Sequence, residues 1–211
     1  MTTMRTVPDA SVARLPVYLG ALGVLADRGD RTVSSDQLAE VAGVSAAKLR
    51  KDLSYLGSNG IRGVGYDVLL LMERISEALG LTSEWSVAVI GAGNLGQALA
   101  GYDGFAERGF KVQAILDDDA HVIGTRVADH VVQDLAELER IVGEKHIAIG
   151  IIAVPAVSAQ QVCDELVAAG VQSILSFAPT VLQVPHGVTV RRADLSTELQ
   201  ILAFHADKEK L

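Results

Sequence analysis

The sequence predicts an α/β protein of two domains, with short helices in the first and a parallel β-sheet in the second. Apolar residues recur at helical spacing up to about residue 80, whereas strands of the buried type alternate with helices from residue 86 onward. With 211 residues and 49% hydrophobic content, the chain can bury a core in each domain. We therefore expect domains at 1–80 and 81–211.

Two short helices are predicted in the middle of the first domain. Ser34 and Gln37 form a capping-box signature ahead of a two-turn apolar pattern that Gly43 should end. Ser45 can cap a second helix, "AAKLRKDLSYL", whose leucines share one face and which should end at Gly57. Two short helices joined by a glycine-containing turn predict a helix-turn-helix unit, in which the second helix enters the major groove of DNA.

Longer helices are expected on either side of this pair. A run over about 10–28 is amphipathic, although Pro16 should kink the helix or delay its start. The stretch "YDVLLLMERISEALGL" then predicts a helix that connects the two domains within 67–85.

The stretch "KLRKDLSYLGSNGIRGVGY", residues 48–66, is basic within an acidic chain. It carries four Lys or Arg residues against the single acid Asp52, whereas the whole chain has a net charge of −8. DNA contact depends on the field within about one Debye length, ~8–10 Å, so an acidic total does not exclude it. The four glycines between residues 57 and 66 suit a β-turn wing after the second helix. Together these features predict a winged helix-turn-helix domain that binds DNA.

Side chains off the leucine stripe of the second helix, its N-cap and the wing arginine are expected to contact phosphates and base edges. They are Ser45, Lys48, Arg50, Lys51, Ser54, Tyr55 and Arg62. For Ser54, a phosphate contact and simple hydration both remain open. The alternative for the whole patch is a solvated basic face on an ordinary helix, but the order of cap, stripe, basic flank and wing favours DNA binding.

A glycine loop follows the first strand of the second domain. Buried strands are indicated at "SVAVIG", "FKVQAIL", "HIAIGIIAVP" and "VQSILSF", so the sheet should be parallel and Rossmann-like. Gly91-x-Gly93-x-x-Gly96 comes directly after the first of these strands and opens a helix, which is the context of a dinucleotide site. Gly91 permits the tight turn, Gly93 lets a pyrophosphate approach the backbone, and Gly96 lets the helix pack closely.

The loop residues expected to hold the dinucleotide are Gly91, Ala92, Gly93, Asn94, Leu95 and Gly96. Asp117 ends the next strand, where a carboxylate can accept hydrogen bonds from the adenosine ribose and would repel a 2′-phosphate. NAD+ and NADH are therefore favoured over their phosphorylated forms. A glycine turn that packs a helix on a strand without any ligand is the alternative.

The sequence offers little support for an enzyme, a metalloprotein or a membrane protein. Its five histidines stand singly, so no acid–base pair for hydride transfer is evident, and we expect the nucleotide to be a signal. A small NAD-dependent oxidoreductase and a CoA-binding protein of the succinyl-CoA-ligase type are the alternatives. The lone Cys163 and the lack of metal-ligand spacing predict neither a disulfide nor a metal site. No signal region and no apolar run of ~18 residues is apparent, which predicts a cytoplasmic protein without a membrane partner.

The segments "VSAAKLRKDLSYLGSNGIRGVGY", "VIGAGNLGQAL", "AVPAVSAQ" and "FAPTVLQVP" together resemble the Rex family of redox-sensing transcriptional repressors along essentially the full chain. The resemblance implies a homodimer that binds double-stranded operator DNA, with NADH and NAD+ as effector ligands. It implies repression when NADH is scarce and release of DNA when NADH binds. It also implies a C-terminal helix, about 194–207, that is exchanged between subunits and carries an apolar stripe of Leu195, Leu199 and Leu202.

The resemblance also assigns residues near the nicotinamide and the subunit contact. By position, Tyr102 and Asp194 match residues that the family uses there. One departure is Gly20 in the first helix, which stands where some relatives have an arginine. This departure puts in doubt an arginine–aspartate latch to the DNA-binding domain.

Discrimination between the two coenzymes should depend on the nicotinamide pocket, because NAD+ and NADH share the ADP half. We expect an apolar surface that includes Pro155, Phe177 and Ala178 at this position. Such a surface would penalise desolvation of the cationic ring of NAD+ and so favour the neutral ring of NADH.

Overall fold

Short helices with clear start and stop signals form the first part of the chain. A computed structural model describes residues 7–57, 60–61 and 63–208, and the chain divides into two units, 1–83 and 84–211. The described elements of the N-terminal unit are α1 Asp9–Val12, α2 Leu15–Asp27, β1 Thr32–Val33, α3 Ser35–Val41, α4 Ala46–Tyr55, β2 Tyr66–Asp67 and α5 Val68–Ala78.

The capping signals around α3 and α4 are confirmed. The Gln37 N–H donates to Ser34 Oγ at 3.2 Å, and the Ser34 N–H donates to Gln37 Oε1 at 3.0 Å, which completes the capping box. Ser45 caps α4 by accepting a hydrogen bond from the N–H three residues on. Gly43 and Gly57 follow the two helices with φ of 66° and 68°, in the left-handed region that glycine favours.

The predicted first helix is divided in two. A turn at residues 13–14 separates α1 from α2, and Pro16 lies in the first turn of α2. The N–H groups of a first turn have no acceptor within the helix, so proline costs no hydrogen bond at this position. By length and hydropathy alone, the 19 residues Asp9–Asp27 could cross a membrane, contrary to the sequence expectation that no such run exists. However, Tyr18 and Leu22 are fully buried in the core of the N-terminal unit, which is the placement of a core helix.

Antiparallel pairing of β1 with β2 closes the base of the predicted wing. Val33 lies opposite Tyr66 in this pair. Within the loop, an isolated bridge joins Ile61 to Gly65. Arg62, the predicted wing contact, lies outside the described residues.

A seven-stranded sheet in the order β5-β6-β4-β3-β7-β8-β9 forms the centre of the C-terminal unit. Its strands are β3 Trp85–Ile90, β4 Phe110–Asp117, β5 Arg126–Val127, β6 His130–Asp134, β7 Ile149–Ile152, β8 Ser173–Ser176 and β9 Thr189–Arg192. Its helices are α6 Asn94–Ala100, α7 Asp103–Ala106, α8 Leu138–Lys145, α9 Ala156–Ala168 and α10 Leu195–Lys208, with a 3₁₀ turn at Leu135–Glu137. Every strand pair is parallel except β5 with β6, so the predicted Rossmann-like parallel sheet is confirmed.

Alternate residues of the central strand enter two separate cores. Ala88 and Ile90 join the core beneath α8 and α9, whereas Val87 and Val89 join a second core that includes Ala100 of α6. This alternation follows from the two-residue repeat of a strand. The sheet is therefore covered on both faces around β3, and the loop after β3 lies at its carboxyl edge.

Among the described elements of the C-terminal unit, four are not predicted by the sequence: β5, β6, α7 and β9. β5 has two residues and α7 has four, which is too short for a periodic pattern to be read. β9 ends in two exposed arginines, and charged residues of this kind are typical of an edge strand.

Candidate DNA interface and dinucleotide site

The exposed side of α4 carries the residues predicted to meet DNA. Four of them are exposed and a fifth is half-buried: Lys48, Arg50, Lys51 and Ser54, with Tyr55. Leu49 and Leu53, on the opposite side, are fully buried in the core of the N-terminal unit. The apolar stripe thus holds α4 in place while its basic side stays open to an anionic ligand.

Local contacts define the roles of several of these side chains. Ser54 donates from Oγ to the Lys51 carbonyl at 2.7 Å, so its hydroxyl proton is already engaged within the helix. Arg50 donates from Nη1 to Ser35 Oγ at 2.8 Å, which ties α4 to the start of α3. Ser45 is exposed and serves as the cap of α4.

The single acid of the basic stretch, Asp52, points into the core of the N-terminal unit, which the sequence does not predict. Asp52 is 1% exposed. Its carboxylate accepts hydrogen bonds from Ser11 Oγ at 2.7 Å, Arg14 Nε at 2.6 Å, Arg14 Nη2 at 2.7 Å and Tyr18 Oη at 2.7 Å. Because Arg14 compensates its charge, the outward side of α4 is more basic than a residue count suggests. The burial of Asp52 could have been predicted from its position beside Leu53 on the apolar stripe of the helix.

The pKa values of this cluster show that its charges are firmly held. Burial alone would raise the pKa of the Asp52 carboxyl, but hydrogen bonds from Arg14, Tyr18 and Ser11 outweigh burial and lower the pKa to about 2. Burial and the hydrogen bond to Asp52 raise the pKa of Tyr18 to about 12. The same carboxylate raises the pKa of Arg14 above its ordinary value. The cluster therefore holds one ion pair across the physiological pH range.

The three glycines of the loop after β3 differ in what surrounds them. Gly91 has a φ of 103°, and a Cβ there would lie 2.7 Å from the Ala153 carbonyl oxygen. A Cβ on Gly93 would meet nothing within 4 Å. A Cβ on Gly96 would overlap the carbonyl oxygen of Gly91. Gly91 and Gly96 are thus required by the fold itself, whereas Gly93 leaves space that a ligand could use.

We expect Gly96→Ala to destabilise the C-terminal unit, because its methyl group must push the loop backbone away from α6. Overpacking of this kind costs ~1–3 kcal/mol of unfolding free energy. Urea unfolding of the variant measures this loss. The matched control is Gly143→Ala on the exposed side of α8, where a Cβ meets nothing within 4 Å. That change should leave stability equal or higher, and an equally stable Gly96→Ala variant would contradict the close packing.

Asp117 faces the glycine loop and is held by it. Its Oδ2 accepts the Ala92 N–H at 2.6 Å, and its Oδ1 accepts the Asp119 N–H at 2.9 Å. A carboxylate can accept about four hydrogen bonds, so two positions remain for the hydroxyls of a ribose. This acceptor capacity and the open space at Gly93 fit the ADP half of a dinucleotide.

A cavity of about 200 Å³ lies at the carboxyl edge of the sheet, between the glycine loop and the loop that follows β7. Its described lining is Ile90, Gly91, Gly93, Asp117, Asp118, Leu135, Ala153, Val154, Pro155, Ser158 and Val162. Asp118 and Ser158 are polar lining residues that the sequence does not predict. They could have been found from topology, because the carboxyl ends of adjacent parallel strands meet at one edge. The other predicted loop residues form the loop but do not line this cavity: Ala92, Asn94, Leu95 and Gly96.

Most residues predicted for the nicotinamide end do not lie at this cavity. Phe177 packs into the core on the α6 face, whereas Ala178 is buried in the core on the α8–α9 face. Both residues follow the end of β8, and the chain there places their side chains in different cores. Tyr102 packs edge-on against Phe105 with ring centroids 5.1 Å apart. Among the four, Pro155 lines the cavity, and the roles of the others toward the ring stay predictions.

Tyr102 instead lines an apolar groove of about 570 Å³ along β3, β7 and β8. Strand residues such as Val87, Ile151 and Leu175 form its floor, and Arg108 and Arg191 also line it. The groove is separate from the cavity at the glycine loop.

The C-terminal helix α10 exposes its apolar side chains. The predicted Leu195, Leu199 and Leu202 are 66%, 67% and 62% exposed, and Ile201 adds to the same helix an exposed side chain that was not predicted. Asp194 accepts the Ser196 N–H at 3.0 Å and so caps the start of α10. The hydrogen bond from Thr197 and the other bonds of this cap lower the pKa of the Asp194 carboxyl.

Comparison with known families and sequences agrees with this two-part organisation. Residues 82–180 match the family model described as "CoA binding domain", and residues 6–54 match the one described as "Putative DNA-binding protein N-terminus". The redox-sensing transcriptional repressor Rex of Streptomyces griseus subsp. griseus is 59% identical over 208 residues, which cover 99% of this chain and 82% of the relative. The protein of the same name from Chloroflexus aggregans is 46% identical over 203 residues, 96% of each chain.

Solved structures of one repressor are similar over nearly the whole chain. RSP, a Rex-family repressor, superposes with a TM-score of 0.90 at 34% identity, covering 98% of this chain and 96% of RSP. The structure of RSP in complex with β-NADH gives a TM-score of 0.89 at 34% identity, covering 98% of this chain and 97% of RSP. The structure of RSP in complex with β-NAD+ and operator DNA gives a TM-score of 0.90 at 35% identity, covering 98% of this chain and 95% of RSP.

Proposed function

Because this chain belongs to the Rex family of redox-sensing transcriptional repressors, we propose that it binds operator DNA as a homodimer and leaves the DNA when NADH binds. The observation that carries the proposal is the presence of two sites in one chain. One is a basic helix that Ser45 caps at its N-terminus, and the other is a glycine loop whose Ala92 N–H donates to Asp117. The similar repressor RSP has been crystallised with β-NAD+ and operator DNA and, separately, with β-NADH.

In the proposed DNA-binding mode, α4 is the recognition helix. Lys48 and Lys51 are one turn apart and Tyr55 follows a turn later, so the three share one side of the helix. The lysines are proposed to supply phosphate contacts that position the helix, and Tyr55 to contact sugar or base edges. Ser45 accepts the Lys48 N–H and can still donate its hydroxyl proton to a phosphate. Ser54 has already donated its proton to the Lys51 carbonyl and remains available as an acceptor only. Arg50 and the wing Arg62 complete the proposed contact set.

In the proposed coenzyme mode, the ADP half of NAD(H) lies on the glycine loop. Gly93 admits the pyrophosphate to the backbone, Asp117 accepts the ribose hydroxyls, and Asp118 adds a second charge that repels a 2′-phosphate. The loop residues Ala92, Asn94, Leu95 and Gly96 form the backbone cradle. The coenzyme supplies a nicotinamide ring that is cationic when oxidised and neutral when reduced. Pro155 is the proposed apolar contact beside the ring at this cavity, where it would favour the neutral form. Phe177 and Tyr102 lie outside the cavity, so contact with the ring would require both side chains to move.

The homodimer is proposed to cover the apolar side of α10. Leu195, Leu199 and Leu202 would otherwise remain in water on a helix of 14 residues. The apolar groove that Tyr102 lines offers a surface of matching character on the C-terminal unit. Asp194, which caps α10, would then lie at the subunit contact.

The nucleotide is proposed to act as a signal and not as a reagent. The curated relatives are named as transcriptional repressors, in agreement with a regulatory role. A repressor must reach the chromosome, so the proposal places the protein in the cytoplasm. NADH shifts the balance between DNA-bound and free protein only by its difference in affinity for the two states.

We expect NADH to release the protein from its upstream DNA at concentrations where NAD+ does not. By linkage, bound DNA must weaken NADH affinity by the same factor, ~5–150-fold for a coupling of typical size. Mobility-shift titrations with each coenzyme measure release, and calorimetric NADH titrations with and without DNA measure the reverse effect. Equal release by both coenzymes, or an NADH affinity that DNA leaves unchanged, would contradict the proposed coupling.

A second candidate ligand is CoA, because residues 82–180 match a CoA binding domain. Asp117 favours NAD(H), since its remaining acceptor positions suit free ribose hydroxyls and its charge opposes the ribose phosphate of CoA. A melting assay separates the two. NADH should raise the melting temperature, and CoA at the same concentration should not.

A further inference from the structure

The buried cluster at Asp52 joins the predicted recognition helix to the helices that precede it. Asp52 lies within α4, whereas Ser11 belongs to α1. Arg14 is the N-cap of α2, and Tyr18 lies in the first turn of that helix. The four hydrogen bonds to its carboxylate measure 2.6–2.7 Å. Two come from Nε and Nη2 of the same guanidinium, which is the bidentate arrangement that best fixes direction.

The other contacts that hold α4 are less directional. Leu49 and Leu53 are fully buried, but apolar contacts specify volume more strongly than rotation. Arg50 reaches Ser35 at 2.8 Å, although that pair is exposed to solvent. The carboxylate–guanidinium fork is therefore the contact best suited to set the angle of α4 about its own axis.

That angle matters because the DNA-facing side chains are attached to the same turns. Lys48 is four residues before Asp52 and Tyr55 is three after it, so both are its immediate neighbours on the helix surface. A rotation of ~10° moves a side-chain tip ~6 Å from the axis by about 1 Å. Contacts to base edges tolerate such errors poorly, whereas flexible lysines can still find phosphates.

We propose that Asp52 and Arg14 form a positioning pair that fixes the rotation of α4 and thereby the sequence specificity of DNA binding. The pair touches no DNA itself and acts through the DNA-facing residues on the adjoining turns of the same helix. The inference rests on the proposed function, because it requires that α4 reads a DNA sequence.

The test compares specific with non-specific DNA affinity. The two probes are the tightest-binding duplex that the wild-type protein selects from a random pool and a scrambled duplex of equal length and composition. Asp52→Asn keeps the shape of the side chain but removes the charge that holds the fork. We expect the ratio of the two affinities to fall at least ~10-fold, comparable to the loss of a base contact, with the salt dependence unchanged. NADH affinity should stay as in the wild type.

Two further variants separate positioning from stability. Arg14→Gln combined with Asp52→Asn leaves no unpaired buried charge, so it should regain unfolding stability while its affinity ratio stays low. If Asp52→Asn alone fails to fold, the affinity ratio is measured on this double variant instead. The matched control is Asp27→Asn, which removes an exposed acid from α2 and should change neither quantity.

Each outcome bears on one proposal. If the double variant regains the full wild-type ratio along with its stability, the cluster is merely structural and the inference is overturned. An unchanged ratio in Asp52→Asn overturns it as well. If the wild-type protein itself selects no duplex over the scrambled one, the proposed function fails first.

Discussion

A Gly93→Val variant should bind operator DNA as tightly as the wild-type protein but should no longer release it when NADH is added. A Cβ at Gly93 meets nothing within 4 Å in the fold, and the backbone there has a φ of −70°, which valine adopts without strain. The branched side chain would instead occupy the space through which a pyrophosphate must approach the loop. We expect NADH affinity to fall at least ~100-fold, equivalent to roughly 2.7 kcal/mol. Calorimetric NADH titration and mobility shifts measure the two effects.

The matched control for this variant is Gly143→Val. Gly143 is exposed on α8, in the same unit, and a Cβ there also meets nothing within 4 Å. Its NADH response should be that of the wild-type protein. If Gly93→Val still dissociates from DNA at the wild-type NADH concentration, the loop after β3 is not the coenzyme site.

Replacing Lys48 and Lys51 together by alanine should abolish most of the electrostatic affinity for DNA. A homodimer would lose four cations, so the slope of log K against log salt should become shallower by ~3.6, and affinity at 0.15 M salt should fall ~1000-fold. The loss should be similar for all DNA sequences, because phosphate contacts carry little sequence information. Fluorescence anisotropy over a range of salt concentrations measures both quantities.

The control for this experiment removes the same charge elsewhere. Lys111 and Arg126 are exposed on strands of the C-terminal unit, and alanine at both positions changes the net charge equally. DNA affinity should change less than ~3-fold, because neither residue belongs to the proposed set of phosphate contacts. A slope that changes by less than about 1 in Lys48→Ala/Lys51→Ala would show that α4 does not carry the phosphate contacts.

Features that depend on neighbours in sequence could be predicted well. The capping box of Ser34 with Gln37, the glycines that follow α3 and α4, and the turn at Gly91 all depend on residues a few positions apart. Apolar patterns also predicted four strands of the C-terminal unit, β3, β4, β7 and β8, and the helices between them, because each of these buried strands is a short apolar run. The confirmed fold class follows from these local signals.

Features that depend on distant partners could not be predicted. Asp52 appears in sequence as one acid in a basic stretch, and its partners Ser11 and Tyr18 lie 41 and 34 residues away. Phe177 and Ala178 appear as one apolar segment, but beyond the end of β8 their side chains enter different cores. Asp118 and Ser158 meet at the cavity only because β4 and β7 end at the same edge of the sheet.

The short pairing of β1 with β2 has a mechanical consequence for the switch. Thr32 lies opposite Asp67, and the Val68 N–H donates to the Arg31 carbonyl at 3.0 Å, so both ends of the segment that contains α3, α4 and the wing loop are clasped together. We expect α3, α4 and the base of the wing to move together, because α3 and α4 share one packed core with α2 and α5. A rotation of this packed group would draw the recognition helix and the base of the wing away from the duplex in a single step.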